Sequence, residues 1–213
     1  MTAMRITIIG ATGMIGSEVT AEALRRGHTV IAASRHPAGS APPGGIPAAV
    51  DADDGTAVAA CLVTVDVAVL AVRPAPGDED SLARWTRTAL DQAAATDTRI
   101  IIVGGSGPLR RPDGTGLVVD DPRWVPEQYR AIALASTEQR RVCQDHDGSD
   151  WTYLSPPAQI APGERTGRFV RGTDTLLVST AGDSFISVAD FAIAVVDEVE
   201  HPSRAAHITV ASV

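Results

Sequence analysis

The chain contains no lysine and no asparagine. All 18 basic residues are therefore arginines, and every mechanism that requires a lysine is excluded. The bias suggests a GC-rich bacterial genome, which speaks to origin rather than to chemistry. Cysteine is almost absent as well. Cys61 and Cys143 stand far apart without a CxxC spacing and read as buried free thiols. No apolar run approaches the length of a membrane-spanning helix. The segment Met1-Thr-Ala-Met-Arg5 lacks the charged-then-apolar plan of a signal peptide, because Arg5 already begins a strand-like run; the expected location is the cytoplasm. There is no excess of positive charge. A net charge of −8 argues against nucleic-acid binding, which needs a basic face, but leaves room for a local basic pocket that takes a phosphate. No histidine shows metal-ligand spacing: His28 and His207 begin strands, and His146 and His201 fall near helix ends. No metal and no membrane partner are expected.

What is present fits a globular chain with a real core: 44% hydrophobic and 21% charged residues over 213 positions, enough for one domain spanning 1–213. Residues 5–9 read as a buried strand, Ile15 to Arg26 as a helix with Ile15, Val19, Ala23 and Leu24 at helical spacing, and Gly27 as its C-terminal glycine. Strands follow at 29–34, at 48–50 ending on Asp51, and at 65–72, the last almost wholly apolar and so buried on both faces. Short and long helices are read at 56–62 and 78–95, the latter with Leu82, Trp85, Ala89 and Leu90 on one stripe. A fifth strand ends at Gly104-Gly-Ser-Gly107, residues 108–126 form a long Pro-rich loop, 127–145 a helix and 151–154 a sixth strand. Trp85 and Trp151 read as core. The tail reads as a hairpin of 175–178 with 184–187 around Ala181-Gly-Asp183, then a helix opened by a capping box Ser187-Val-Ala-Asp190, then a last strand from His207. Alternating strands and helices imply an α/β fold: a doubly wound, mostly parallel sheet with helices on both faces, and a small C-terminal substrate-side extension at 155–188. Ligands of such sheets bind beyond the carboxyl ends of the strands.

At that edge the sequence carries Gly10-Ala-Thr-Gly13-Met-Ile-Gly16 between a strand and a helix. Gly10 permits the tight turn, Gly13 lets backbone approach a pyrophosphate, and Gly16 lets helix pack on strand; the amides at the helix start then face the anion. The reading is a dinucleotide held by Gly10, Thr12, Gly13, Met14, Ile15 and Gly16. Specificity between the two nicotinamide dinucleotides is read at the end of the second strand. An NAD site usually carries Asp or Glu there. Here the residues are Ser34-Arg35-His36, with no carboxylate before Asp51, and a guanidinium suits a 2′-phosphate; NADP(H) is favoured over NAD(H). Asp51 suits either the adenine amino group or a cap on the helix that follows. Ala71-Val72-Arg73 ends the fourth strand and should pass over ribose or phosphate, chiefly by its backbone. Tyr129 and Trp124 could line an acceptor pocket or simply pack, and Glu164 with Arg165 could pair or touch substrate, though they read first as a solvated loop.

With these residues in place the chain resembles the atypical short-chain dehydrogenase/reductases, the NAD(P)H-binding proteins similar to flavin reductase/biliverdin reductase and to NADH-flavin reductases. The resemblance rests on the GATGMIG turn, Ser34-Arg-His-Pro37, Ala71-Val-Arg-Pro74, Val103-Gly-Gly-Ser-Gly107, Trp151 to Pro157, and Ile186 to Ala192, and it spans nearly the whole chain. It implies a Rossmann fold, with Gly104, Pro156 and Pro157 beside the nicotinamide and Ser106 near the reacting ring, in a loop that the flanking Gly105 and Gly107 make unusually open. It also exposes a departure. The superfamily's usual acid is a tyrosine whose pKa is lowered by a lysine four residues on; here Tyr129 is followed at that spacing by Ala133 and Tyr153 by Pro157. A histidine found after the sixth strand in flavin-reducing relatives is absent, and Gln159 could at most hydrogen-bond. The implied activity is hydride transfer to a flavin, quinone or similar planar small-molecule acceptor, in which the cofactor does the chemistry and Ser106 and Tyr129 are the candidate catalytic residues. The alternative is an NmrA-like sensor that reads NADP(H) with little turnover. A homodimer is left open.

Overall fold

The computed structural model describes residues 2–37 and 42–212. Its strands are β1 (Arg5–Ile9), β2 (Thr29–Ser34), β3 (Ile46–Ala49), β4 (Val67–Leu70), β5 (Arg99–Val103), β6 (Trp151–Ser155), β7 (Gln159–Ala161), β8 (Phe169–Gly172), β9 (Phe185–Ser187) and β10 (His207–Ser212). Its helices are α1 (Met14–Arg25), α2 (Gly55–Leu62), α3 (Ser81–Ala95), α4 (Arg130–Gln144) and α5 (Val188–Glu200). Eight strands form one sheet in the order β3-β2-β1-β4-β5-β6-β10-β8, all parallel except that β8 runs antiparallel to β10. This is a doubly wound α/β sheet, and its strand order reverses between β1 and β4.

Side-chain alternation along each strand feeds two cores. On one face Ile6 and Ile8, Val67 and Val69, and Ile101 and Val103 pack with Val19 and Ala23 of α1 and Phe191, Val195 and Val199 of α5. On the other, Ile9, Leu70, Ile100, Ile102 and Tyr153 pack with Leu62, Trp85, Leu90 and Cys143 from α2, α3 and α4. Both cysteines are buried and free. Burial pushes the Cys61 thiol up to about 11 and the Cys143 thiol up to about 12.

Several elements depart from the sequence reading. The fourth strand is shorter than 65–72, because beyond the Ala71 amide, which still bonds the Ile9 carbonyl at 2.8 Å, Val72 and Arg73 run out into the rim of the cleft described below. The expected hairpin does not form. β9 pairs in parallel with β7 instead, and residues 173–184 make a turn closed by the Ser179 amide on the Asp183 carbonyl at 2.7 Å. β8 supplies an unexpected last strand beside β10. Residues 108–126 are not a featureless loop: Leu109, Val118, Val119 and Val125 bury against Ala133 and Leu176 in a small core of their own. Trp85 is buried as expected, whereas Trp151 is only half-buried. Ser187 caps α5 by accepting the Asp190 amide at 3.0 Å, but the box is not reciprocal. The Asp190 carboxylate turns instead to the Thr166 and Gly167 amides, both at 2.8 Å, and so ties down the loop after β7. The third strand, read at 48–50, begins earlier, at Ile46, and ends at Ala49.

Candidate functional site

At the carboxyl edge of the sheet lies one cleft of about 970 Å³. Its floor is the turn between β1 and α1. Gly10 has φ +93, a left-handed conformation that favours glycine, and a Cβ there would lie 2.3 Å from the Ala71 carbonyl oxygen. The Gly13 amide closes the turn on the Gly10 carbonyl at 3.0 Å. Gly13 is also the N-cap of α1 and offers no capping side chain. The first amides of a helix lack intrahelical acceptors, so this uncapped end leaves donors and the positive end of the helix dipole facing the cleft. Gly16 does not line the cleft. It lets α1 cross the turn: a Cβ would stand 2.1 Å from the Gly10 carbonyl oxygen.

One end of the cleft is formed by Ser34, Arg35, His36, Asp51 and Arg73. Arg35 and His36 are exposed, and Arg35 has no carboxylate partner among the described residues. Ser34 is buried at 7% exposure, and its hydroxyl oxygen has no hydrogen-bond partner among the described residues. Asp51 does not cap α2. That cap is Asp54, which accepts from the Thr56 and Ala57 amides, while Asp51 accepts from the Asp53 amide at 3.1 Å.

The other end is walled by Gly104 to Gly107, Pro156, Pro157 and Gln159, and by Trp124, Tyr129 and Ile132. Trp124 braces against the small core of residues 109–125. Asp121, buried beneath it, is gripped by Arg123, which holds its carboxyl well below the usual range. Tyr129 is exposed and contributes to the cleft wall rather than to packing. Ser106 lines the cleft, but the glycines around it do not make an open loop. A Cβ on Gly104 would enter the Tyr153 ring at 2.1 to 2.3 Å, and on Gly107 it would meet the Ala133 carbonyl at 2.3 Å. These glycines let β6 and α4 close in behind the loop.

The second tyrosine is out of reach of the cleft. Tyr153 is fully buried, its hydroxyl 2.9 Å from the Ser136 carbonyl and 3.1 Å from Gln139 Oε1, and burial pushes its pKa far up. Nor does Glu164 pair with Arg165. Arg165 reaches Glu22 of α1, both bonds being 2.9 Å. Burial alone would raise the Glu22 pKa, but the Arg165 and Arg26 guanidiniums hold it down at about 2. Of the residues predicted to hold the cofactor or act at the nicotinamide, all but Gly16 line this cleft. Ile132, Arg123 and the 182–184 turn carry no signal in the sequence as site residues; they join the cleft through the packing of the 108–126 segment, of α4 and of the tail. Among the described residues no group of His, Cys, Asp or Glu could hold a metal ion, and no helix is long and apolar enough to cross a membrane.

Comparison with known proteins agrees with this geometry. The chain is 38% identical over 204 residues to the Bacillus subtilis protein described as "Uncharacterized protein YwnB", covering 94% of each chain. Among solved structures it is similar to a Burkholderia pseudomallei protein described as a "putative exported protein", with TM-score 0.86, 38% identity and 98% and 99% of the two chains covered. It is likewise similar to a Streptococcus pneumoniae protein described as a "putative NADH-flavin reductase", with TM-score 0.90, 26% identity and 99% and 100% covered. Residues 10–202, from the glycine turn to the end of α5, match the family described as NAD(P)H-binding, and the chain belongs to that family.

Proposed function

We propose that this protein is an NADPH-dependent reductase of a flavin, quinone or similar planar acceptor. The observation that carries the reading is a single cleft that joins an uncapped helix start and a buried Ser34 hydroxyl, unpartnered among the described residues, at one end to an aromatic and proline wall at the other, in a chain with no lysine to form a tyrosine–lysine pair. The pyrophosphate would lie on the amides of Thr12 to Ile15. Ser34 Oγ and the Arg35 guanidinium would take the 2′-phosphate through charge-assisted hydrogen bonds, and Arg73 would add a positive field at the rim. The backbone of Ala71 and Val72 would support the adenosine half; Gly104, Pro156 and Pro157 would bound the nicotinamide.

When bound, the reduced nicotinamide supplies a hydride; with one proton from water this converts the acceptor to its dihydro form and leaves NADP⁺. The residues around it orient and exclude rather than donate. Trp124, Tyr129 and Ile132 offer flat apolar surface to a planar ring, and Ser106 offers a hydroxyl near the transfer. Flavins and quinones suit such a site because they need no protein acid of tuned pKa, whereas a simple carbonyl would. The pneumococcal relative's description as an NADH-flavin reductase points the same way for the acceptor. Its NADH leaves the choice of nucleotide here to Ser34 and Arg35.

The test is a titration of wild type and Arg35→Ala with NADPH and NADH, followed by turnover across a flavin and quinone panel. Arg35→Ala should lose NADPH selectively. Equal weakening of both nucleotides would refute the phosphate assignment. Cofactor binding without turnover on any acceptor would turn the reading toward an NADP(H) sensor.

A further inference from the structure

We propose that Tyr153 and Ser155 are positioning residues that fix the two peptide groups flanking Gly105 beside the hydride-transfer site, each acting through its own buried hydrogen-bond relay. The inference rests on the reductase reading above. Its starting point is topological. A dinucleotide laid across the β1/β4 switch point, with its adenosine end at Ser34, must send its other end over the carboxyl edges of β4 and β5, and so against residues 104–107.

That segment is held from behind on both sides. The Gly105 amide donates toward Tyr153 Oη at 3.4 Å. The same hydroxyl has a single proton, which goes to the Ser136 carbonyl or to Gln139 Oε1. Gln139 in turn donates from Nε2 to Thr86 Oγ1 at 3.1 Å, and Thr86 donates to the Leu82 carbonyl at 2.8 Å. Tyr153, Gln139 and Thr86 are each no more than 1% exposed. The second relay grips the other end of the same residue. Ser155 Oγ donates to the Gly105 carbonyl at 2.8 Å, and its oxygen lies 2.9 Å from His207 Nε2. Because the serine proton is already committed, the imidazole must donate at Nε2, which fixes its tautomer. Burial and the nearby Arg140 keep His207 neutral, its pKa lowered to about 4.

None of these side chains is needed to fill the sheet with apolar volume. A phenylalanine and an alanine would serve the core at 153 and 155. What the polar versions add is orientation of the two peptide groups on either side of the Gly105 Cα, and Gly104 accepts the Tyr153 ring against its Cα to let this happen. A buried polar network that is fully satisfied rigidifies what it touches.

The experiment compares wild type, Tyr153→Phe, Ser155→Ala and Ser155→Thr. It reads the Kd for NADPH and for adenosine 2′,5′-bisphosphate, the fluorescence of bound NADPH, thermal unfolding, and kcat and KM with a flavin acceptor. Adenosine 2′,5′-bisphosphate reports the Ser34 end alone. Tyr153→Phe and Ser155→Ala should bind it within twofold of wild type, change the fluorescence of bound NADPH, and lose about tenfold in kcat with KM for NADPH within threefold. Ser155→Thr, which keeps the hydroxyl, should recover most of the kcat. Should Tyr153→Phe fail to fold, the Ser155 pair carries the test. Variants that lose stability and both ligands in parallel, or that keep wild-type kcat and fluorescence, overturn the assignment. A wild-type protein that binds neither ligand removes the cofactor reading itself, and the positioning role with it.

Discussion

Removing the Ser34 hydroxyl should have opposite effects on the free protein and on its complex with NADPH. In the free protein Ser34 Oγ is buried and lacks a partner among the described residues. A buried hydroxyl left unsatisfied costs about 1–3 kcal/mol in desolvation. Ser34→Ala deletes that cost together with a little packing, so the free protein should be no less stable, and up to ~1 kcal/mol more stable, than wild type. For a chain of this size ~1 kcal/mol corresponds to a rise in Tm of about 2–4 °C. In the complex the hydroxyl would meet a phosphate, and hydrogen bonds to charged groups are worth about 1.5–3 kcal/mol. At ~1.4 kcal/mol per tenfold, NADPH affinity should fall by roughly 10- to 150-fold. NADH, which lacks the phosphate, should be much less affected. Thermal unfolding with and without saturating NADPH reads both effects in one experiment: the two melting curves of Ser34→Ala should lie closer together than those of wild type. A drop in Tm of the free variant would mean that the hydroxyl already has a protein partner. Unchanged NADPH affinity would mean that it has no ligand.

Other consequences follow from the same geometry. Glu22→Gln takes from Arg165 its carboxylate partner and from Arg26 one of three, the Asp197 and Glu200 contacts remaining, and should cost about 1.5–3 kcal/mol, visible as a lowered denaturation midpoint. Because the Glu22 pKa is about 2 when folded, below its ordinary value of 4.5, its stabilisation is complete above pH 4.5 and is lost as pH falls toward 2; acid titration of wild type against Glu22→Gln should show the difference shrinking over that window. Gly16→Ala forces a Cβ to within 2.1 Å of the Gly10 carbonyl oxygen, so the turn must shift, and NADPH affinity measured by fluorescence should fall at least tenfold. Cys61 and Cys143, buried and with raised pKa values, should resist a thiol reagent at pH 8 until denaturant is added; rapid labelling of the native protein would contradict their burial.

The cofactor half of the cleft was legible in the sequence because its determinants are local. A strand, three glycines at fixed offsets and an amphipathic helix lie within 5–26, and Ser34 to His36 follow the next strand directly. The acceptor half was not legible, because its determinants are long-range. Whether Tyr129 packs or faces the cleft depends on how α4 docks, which rests on Gly105 and Gly107 allowing Ser136 and Ala133 close approach. β7 and β9, three residues each, are too short for alternation to register, and their parallel pairing joins segments 26 residues apart in place of the tight hairpin that the Ala181-Gly-Asp183 turn suggested. The glycines of 104–107 misled for an instructive reason. In a sequence, glycine permits both freedom and contact, and only the identity of the neighbours decides which applies.

The contact between Gly104 and Tyr153 also has an evolutionary consequence. The ring occupies the space that any side chain at 104 would need, and the missing side chain makes room for the ring. Neither position can change far without the other, so a lineage exchanging the tyrosine for a smaller residue opens a void before a larger residue at 104 can fill it, and the reverse order begins with a clash. Both single steps cost packing, one as a void and the other as a clash. The pair should therefore be inherited as a unit, and descendants that broke it should have altered both sites together, marking a branch point in the history of the acceptor pocket rather than gradual drift.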